Sequence, residues 1–196
     1  SGSASIRVPW TGAAAAGALL ARAGVKVADA TLDVMRMTAN LIQADAKGLG
    51  GVASAAEIGM AFGKGIVGQG KPFEAFVQSK LPEGTLDLNS IKSNFATFDH
   101  LTPDGLAVST KTLDTSAVTY QSPSKITSQL NQYVDQMVGF PGDGKGAQIY
   151  TNEMFTGKQM QLGIPSSTSS DQMAAIAQSV QYAQSKGISI VVTKVK

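Results

Sequence analysis

The sequence predicts an α/β protein preceded by a small α-helical segment, on three observations. Composition changes once: up to about Lys64 the chain is rich in Ala and Gly, whereas from Lys71 helical and strand patterns alternate. Two strands declare themselves differently. "KQMQLGIP" alternates, with Met160, Leu162 and Ile164 inward, while "ISIVVTKV" is nearly continuous and reads as buried on both faces. Between two helices, "FDHLTPDGLAVSTKTLD" carries the turn chemistry of a hairpin: Pro103 presets φ, Asp104 tolerates the turn and Gly105 accepts positive φ. Two parts follow, residues 1–64 as a helical segment and residues 65–196 as the α/β domain.

In the first part, Leu19, Leu20, Ala23, Val27, Leu32, Val34, Met35 and Leu41 fall roughly at helical spacing, and a short helix is expected near Ala53 to Phe62. The run "VPWTGAAAAGALLA" is too short and too rich in small residues to span a bilayer. In the second part, "KPFEAFVQSKL" has Pro72 in its first turn and Phe73, Phe76, Val77 and Leu81 on one face. "SPSKITSQLNQYVDQMVGF" begins with Ser122 as a cap and Pro123 at the first helical position, and buries Ile126, Leu130, Tyr133, Val134 and Met137. "FPGDGKG" reads as a loop and "AQIYT" as a strand. Ser169 to Gln172 forms a capping box for a helix that Gly187 ends.

Composition excludes several chemistries. The chain has no cysteine, so disulfides, thiolate metal sites and thiol catalysis are absent. Its net charge of +2 permits nucleic-acid binding without demanding it. The lone His100 has no second histidine with which to form an acid–base pair. "GIVGQGKP" matches the first part of a phosphate loop, but Pro72 stands where the magnesium-binding Ser or Thr belongs and no strand precedes it.

The hairpin register is what points to chemistry. With Pro103 to Gly105 as the loop, Thr102 faces Leu106, Leu101 faces Ala107 and Asp99 faces Ser109, which puts Asp99, Ser109 and Lys111 on one face. Glu74, on the preceding helix, can reach over the sheet edge. Two carboxylates suit Mg2+ or Mn2+, and a nearby lysine suits a phosphoryl group gaining charge. A surface hairpin with an ordinary Asp–Lys pair, contributing at most about 1 kcal/mol, is the alternative. Ser124 and Lys125, in the first turn of the next helix, could meet a phosphate, and Tyr120 and Tyr150 could stack on bases or fill the core.

This order of helix, Asp, S-x-K, helix and strand resembles the PD-(D/E)xK nuclease core, a mixed sheet flanked by helices. More narrowly, "PFEAFVQSKLPEG", "TFDHLTPDGLAVSTKTLDT" and "IPSSTSSDQMAAIAQSVQYAQSKGISIVVTKV" are similar to the C-terminal toxin domains of contact-dependent growth inhibition (CdiA-type) effectors, several of which are tRNA nucleases. The similarity runs from about Gly70 to the C-terminus. It implies an active site of Glu74, Asp99, Ser109 and Lys111, with Mg2+ or Mn2+ at Glu74 and Asp99. It also implies tRNA as substrate, with DNA as the alternative, and a cognate immunity protein. A non-enzymatic interaction domain of a surface protein is the reading from a different class. The implied location is the producer's surface followed by the target's cytoplasm, with only transient membrane contact by the 1–64 segment during entry. Ser109 departs from the general nuclease pattern, which has a carboxylate there.

Overall fold

A computed structural model describes residues 51–196. The helical pattern expected for residues 1–50 lies outside the described residues. The described end of that first part is packed structure: β1 (Gly51–Ala53) leads into a single helical turn, α1 (Ala55–Ile58), which Gly59 closes. The 64/65 boundary therefore falls within structure that packs on the sheet, because Ile58 and Met60 are buried beside Val195.

The main sheet has six strands in the order β1-β8-β7-β4-β3-β2. β4 (Leu106–Thr112), β7 (Gly157–Pro165) and β8 (Ile188–Val195) are parallel, and β1 joins β8 in parallel. β3 (His100–Leu101) and β2 (Leu86–Asp87) add antiparallel strands at the other edge. The expected hairpin register holds: Leu101 pairs with Ala107, Thr102 N–H donates to the Leu106 carbonyl at 3.0 Å, and Gly105 takes φ +88°.

The helices cover the two faces unequally. On one lie α4 (Pro123–Val138) and α5 (Ser170–Ser185), whose stripes bury Ile126, Leu130, Val134 and Ile176 against Met160, Leu162 and Ile164. Each such side chain stabilises the fold by roughly 1.5–3 kcal/mol relative to exposure. Ser169 closes the capping box of α5 with Gln172, as expected, whereas Ser122 caps α4 by position only and turns its hydroxyl to Ser124. On the other face lies α2 (Lys71–Lys80), entered through a π-helical turn at Ile66–Gly70. α2 can lie close because Gly163 of β7 leaves space: a Cβ there would meet the Phe73 ring at 2.9 Å.

The segment read as the loop "FPGDGKG" instead contributes β5 (Asp143–Lys145), which pairs with β6 (Gln148–Tyr150) in a separate two-stranded sheet. Asp143 ties it down. Its carboxylate bonds Lys92 and accepts from the Ala96 N–H at 2.7 Å.

Candidate active site

Glu74 follows Phe73 on α2, so the burial of Phe73 fixes where the carboxylate stands, half-buried at the helix border. Burial raises its pKa above the ordinary carboxylate value, and the charges of Asp99 and Asp87 raise it further. The charge of Lys71 and a hydrogen bond from Asn89 pull it back. Burial thus comes first in disfavouring the charged form of Glu74, and the neighbouring carboxylates add to it.

Asp99 lies at the bend entering β3. Its N–H donates to the Val108 carbonyl at 2.9 Å, and its carbonyl accepts from the Leu88 N–H at 2.9 Å. Because β3 is only two residues long, β4 outruns it, and the Asp99 carboxylate takes the missing strand's place by accepting from the Thr110 N–H at 2.6 Å. One oxygen is committed to the backbone, and among the described residues the other is open to accept.

The turn that delivers Asp99 is strained. Thr97 sits at φ +70°, unusual for a β-branched residue and costing on the order of 1–3 kcal/mol. Ser109 donates its hydroxyl hydrogen to the Thr97 carbonyl at 2.7 Å and is fully buried. Its hydroxyl thus serves the turn that carries Asp99.

Lys111 shares the Ser109 face of β4, the side covered by α4, and its ammonium lies 5.6 Å from the centroid of the Tyr133 ring. Glu74 approaches from the α2 side. The structure therefore brings Glu74 and Asp99 together, with Ser109 and Lys111 on the opposite face of β4 and the Asp99 carboxylate at the edge between. The single shared face expected from strand alternation becomes two faces meeting at an edge, because the Asp99 side chain turns onto the β4 backbone.

Sequence reasoning missed α3 (Leu88–Ile91), the short helix between Glu74 and Asp99. Asp87 caps it by accepting from the Asn89 N–H at 2.9 Å, and Asn89 reaches Glu74 at 3.4 Å. The signal was the capping pattern in "DLNS".

His100 is buried completely, on the strand face opposite Leu101, and neither ring nitrogen finds a partner among the described residues. Burial lowers its pKa, while Asp99 and Asp87 draw it upward. Thr110 Oγ1 and Gln161 Oε1 are likewise unpartnered among the described residues, and the register sets all three on the α2 face. Of the remaining candidates, Ser124 and Lys125 are exposed at the start of α4. Tyr120 and Tyr150 pack against the core, Tyr150 with its ring 6.1 Å from that of Phe95. Lys71 lies within helix, continuous with the Ile66–Gly70 turn, so the glycine pattern makes no phosphate loop.

Among the described residues no cluster of three or more His, Cys, Asp or Glu could hold a metal. A two-carboxylate oxygen set is what a hydrated Mg2+ or Mn2+ needs, since such ions keep several waters. Glu74 and Asp99 fit that description.

Residues 69–193 match the family described as the CDI toxin restriction endonuclease-like domain. The chain belongs to this family. Within the CDI toxin endonuclease-like domains, it is 30% identical over 145 residues to a protein named deoxyribonuclease CdiA from Yersinia pseudotuberculosis serotype O:3, strain YPIII. It is 31% identical over 147 residues to deoxyribonuclease CdiA-o11 from Escherichia coli O157:H7, strain EC869. Each alignment covers 73% of this chain but only 13% and 37% of those relatives. The solved CdiA-CT/CdiI toxin and immunity complex from Yersinia pseudotuberculosis resembles it with a TM-score of 0.55 and 28% identity, over 64% of this chain and 99% of that one. The six-stranded mixed sheet flanked by helices is the fold expected of such a toxin nuclease. Among the described residues no helix is long and apolar enough to cross a membrane.

Proposed function

We propose that this chain is a toxin domain that hydrolyses phosphodiester bonds in DNA with a divalent cation. The observation that carries the chemistry is the approach of Glu74 to Asp99, two half-buried carboxylates held where negative charge accumulates. The choice of DNA over the tRNA expected from sequence rests on the two relatives, both named deoxyribonucleases.

Glu74 and Asp99 would hold Mg2+ or Mn2+, which supplies an activated water and neutralises phosphate charge. Asp99 presents its carboxylate at a fixed position because the Thr110 N–H holds it. Lys111, restrained by the Tyr133 ring, offers a cation to the phosphoryl oxygens from the other side of the strand. Ser109 maintains the strained turn before Asp99. Ser124 and Lys125 contribute a rim contact to the nucleic-acid backbone.

A cognate immunity protein follows from the same reading, supported by the similarity to a toxin solved in complex with its immunity protein. An acidic surface placed over Lys111 and Lys125 would associate fast through charge complementarity. Delivery from a producer's surface into a target's cytoplasm belongs to the same proposal.

The test is incubation with plasmid DNA and total RNA, with and without EDTA. Plasmid should be cut and tRNA left intact, and cutting should stop in EDTA and return with Mg2+ or Mn2+. Cleaved tRNA with intact plasmid would restore the RNA reading. Silence on both substrates would favour an interaction domain.

A further inference from the structure

The short helix α3 contacts both site residues, Glu74 through its carboxylate and Asp99 through its main chain. Its first residue, Leu88, donates N–H to the Asp99 carbonyl at 2.9 Å. Its second, Asn89, bonds in two directions: Oδ1 accepts from the Phe95 N–H at 3.1 Å, and Nδ2 donates to Glu74 Oε1 at 3.4 Å.

The amide cannot turn over at no cost. The Phe95 N–H accepts nothing, so it requires the carbonyl oxygen of Asn89, and the amino group must then face Glu74. Phe95 is itself fixed: its ring stacks on Phe140 at 6.0 Å and meets Tyr150 edge-on at 6.1 Å. Asp143 holds the neighbouring Ala96 N–H. Asp87 caps α3 through the Asn89 N–H. One side chain thus joins the helix carrying Glu74 to the anchored loop that runs through Thr97 to Asp99.

We propose that Asn89 is a positioning residue that sets the orientation of Glu74 and its separation from Asp99, and through them the affinity for the divalent cation. This rests on the nuclease reading above. At 3.4 Å the contact is long for a hydrogen bond. It therefore orients the carboxylate while leaving its oxygens able to accept a cation. Partners of this kind, one step from the ligands, typically change metal affinity by about 10–100-fold when removed.

The test uses the full chain and Mn2+ alone, titrated calorimetrically, with Glu74→Ala as reference and plasmid cleavage as second readout. Asn89→Ala should weaken Mn2+ binding by about 10–100-fold. It should also raise by a similar factor the Mn2+ concentration needed for half-maximal cleavage, with the KM for DNA unchanged. Asn89→Asp keeps an acceptor for the Phe95 N–H, and so keeps the loop, but sets a carboxylate against Glu74. Its kcat at saturating Mn2+ should fall at least about ten-fold, although added negative charge by itself attracts a cation. Wild-type Mn2+ affinity in Asn89→Ala, or wild-type kcat in Asn89→Asp, would overturn the role of Asn89 while Glu74→Ala still loses binding. If the wild-type chain binds no Mn2+, the divalent-cation reading above fails, and this inference fails with it.

Discussion

The two faces of the sheet are built by different rules. On the α4/α5 side Ala107, Met160, Leu162, Ile164, Ile190 and Val192 lie within a continuous apolar cluster. On the α2 side the strands present His100, Thr110, Gln159, Gln161 and Thr193 among their apolar residues, and among the described residues the cluster that includes Phe73 and Val77 has six buried members against 22 in the other cluster. Apolar burial stabilises in proportion to area, so the first face supplies most of the fold's stability. The second face leaves buried polar atoms unpartnered among the described residues and gathers carboxylates of like charge, both of which cost stability. Such costs concentrate where a protein does chemistry. Most of the apolar stability thus lies on one face and the polar, like-charged groups on the other, with Asp99 at the edge that joins them and Lys111 on the α4 side of that edge.

The largest expected effect is at the proposed site, which draws Glu74 from the α2 side and Lys111 from the α4 side. Asp99→Ala, Glu74→Ala and Lys111→Ala should each reduce plasmid cleavage by about 10²–10⁴-fold with circular dichroism near wild type. Melting should stay near wild type for Glu74→Ala and Lys111→Ala, whereas Asp99→Ala should cost about 1–3 kcal/mol because the Thr110 N–H loses its acceptor. A fully active variant at any of the three would remove that residue from the proposed site.

A pair of core substitutions then tests the division directly. Ile176→Ala, beneath α5, should cost about 2–5 kcal/mol in urea unfolding but leave kcat per folded molecule unchanged. Gly163→Ala should cost less, about 1–3 kcal/mol, because a Cβ must displace the Phe73 ring. It should nevertheless depress kcat, since moving Phe73 moves α2 and Glu74. Equal effects on activity from the two variants would dissolve the comparison.

His100 provides a subtler probe, best measured in EDTA. Its buried ring takes a proton less readily than in the unfolded chain, where the ordinary value is 6.5. The unfolded state therefore binds more protons as pH falls through that value, and the folded state loses this contribution from there down to the lowered folded pKa. His100→Leu should remove this acid-side loss, so the stability difference should move in the variant's favour as pH falls through 6.5. A difference independent of pH would mean that the imidazole is already accommodated with its charge. The smallest effect is expected at the rim. Lys125→Ala should weaken DNA binding modestly and lower the salt dependence of binding by about one charge. A change in the choice of substrate would instead give Lys125 a specific contact.

Much of the fold was legible because its signals are local. The capping box at Ser169, the Met160–Leu162–Ile164 alternation, the α4 stripe and the Thr102–Leu106 hairpin register each depend on residues close in sequence. β5 is not legible as a strand, because Asp143 and Gly144 have poor strand propensity. The segment is held by the pairing with β6 and by the bonds of Asp143 to Lys92 and Ala96, which are distant in sequence.

By itself the sequence put Asp99, Ser109 and Lys111 on one hairpin with Glu74 on the helix before it, through residue type, turn chemistry and strand alternation, and its resemblance to a known family made the four candidates for one site. Tertiary structure alone decided how they are arranged. β3 stops after Leu101, so the Asp99 carboxylate turns to the Thr110 N–H, and Ser109 turns inward to hold the strained Thr97. α3 contacts Glu74 through Asn89 and the Asp99 main chain through Leu88. Alternation fixes which face a side chain leaves from. Where its polar end comes to rest depends on which backbone groups the neighbouring elements leave unpaired.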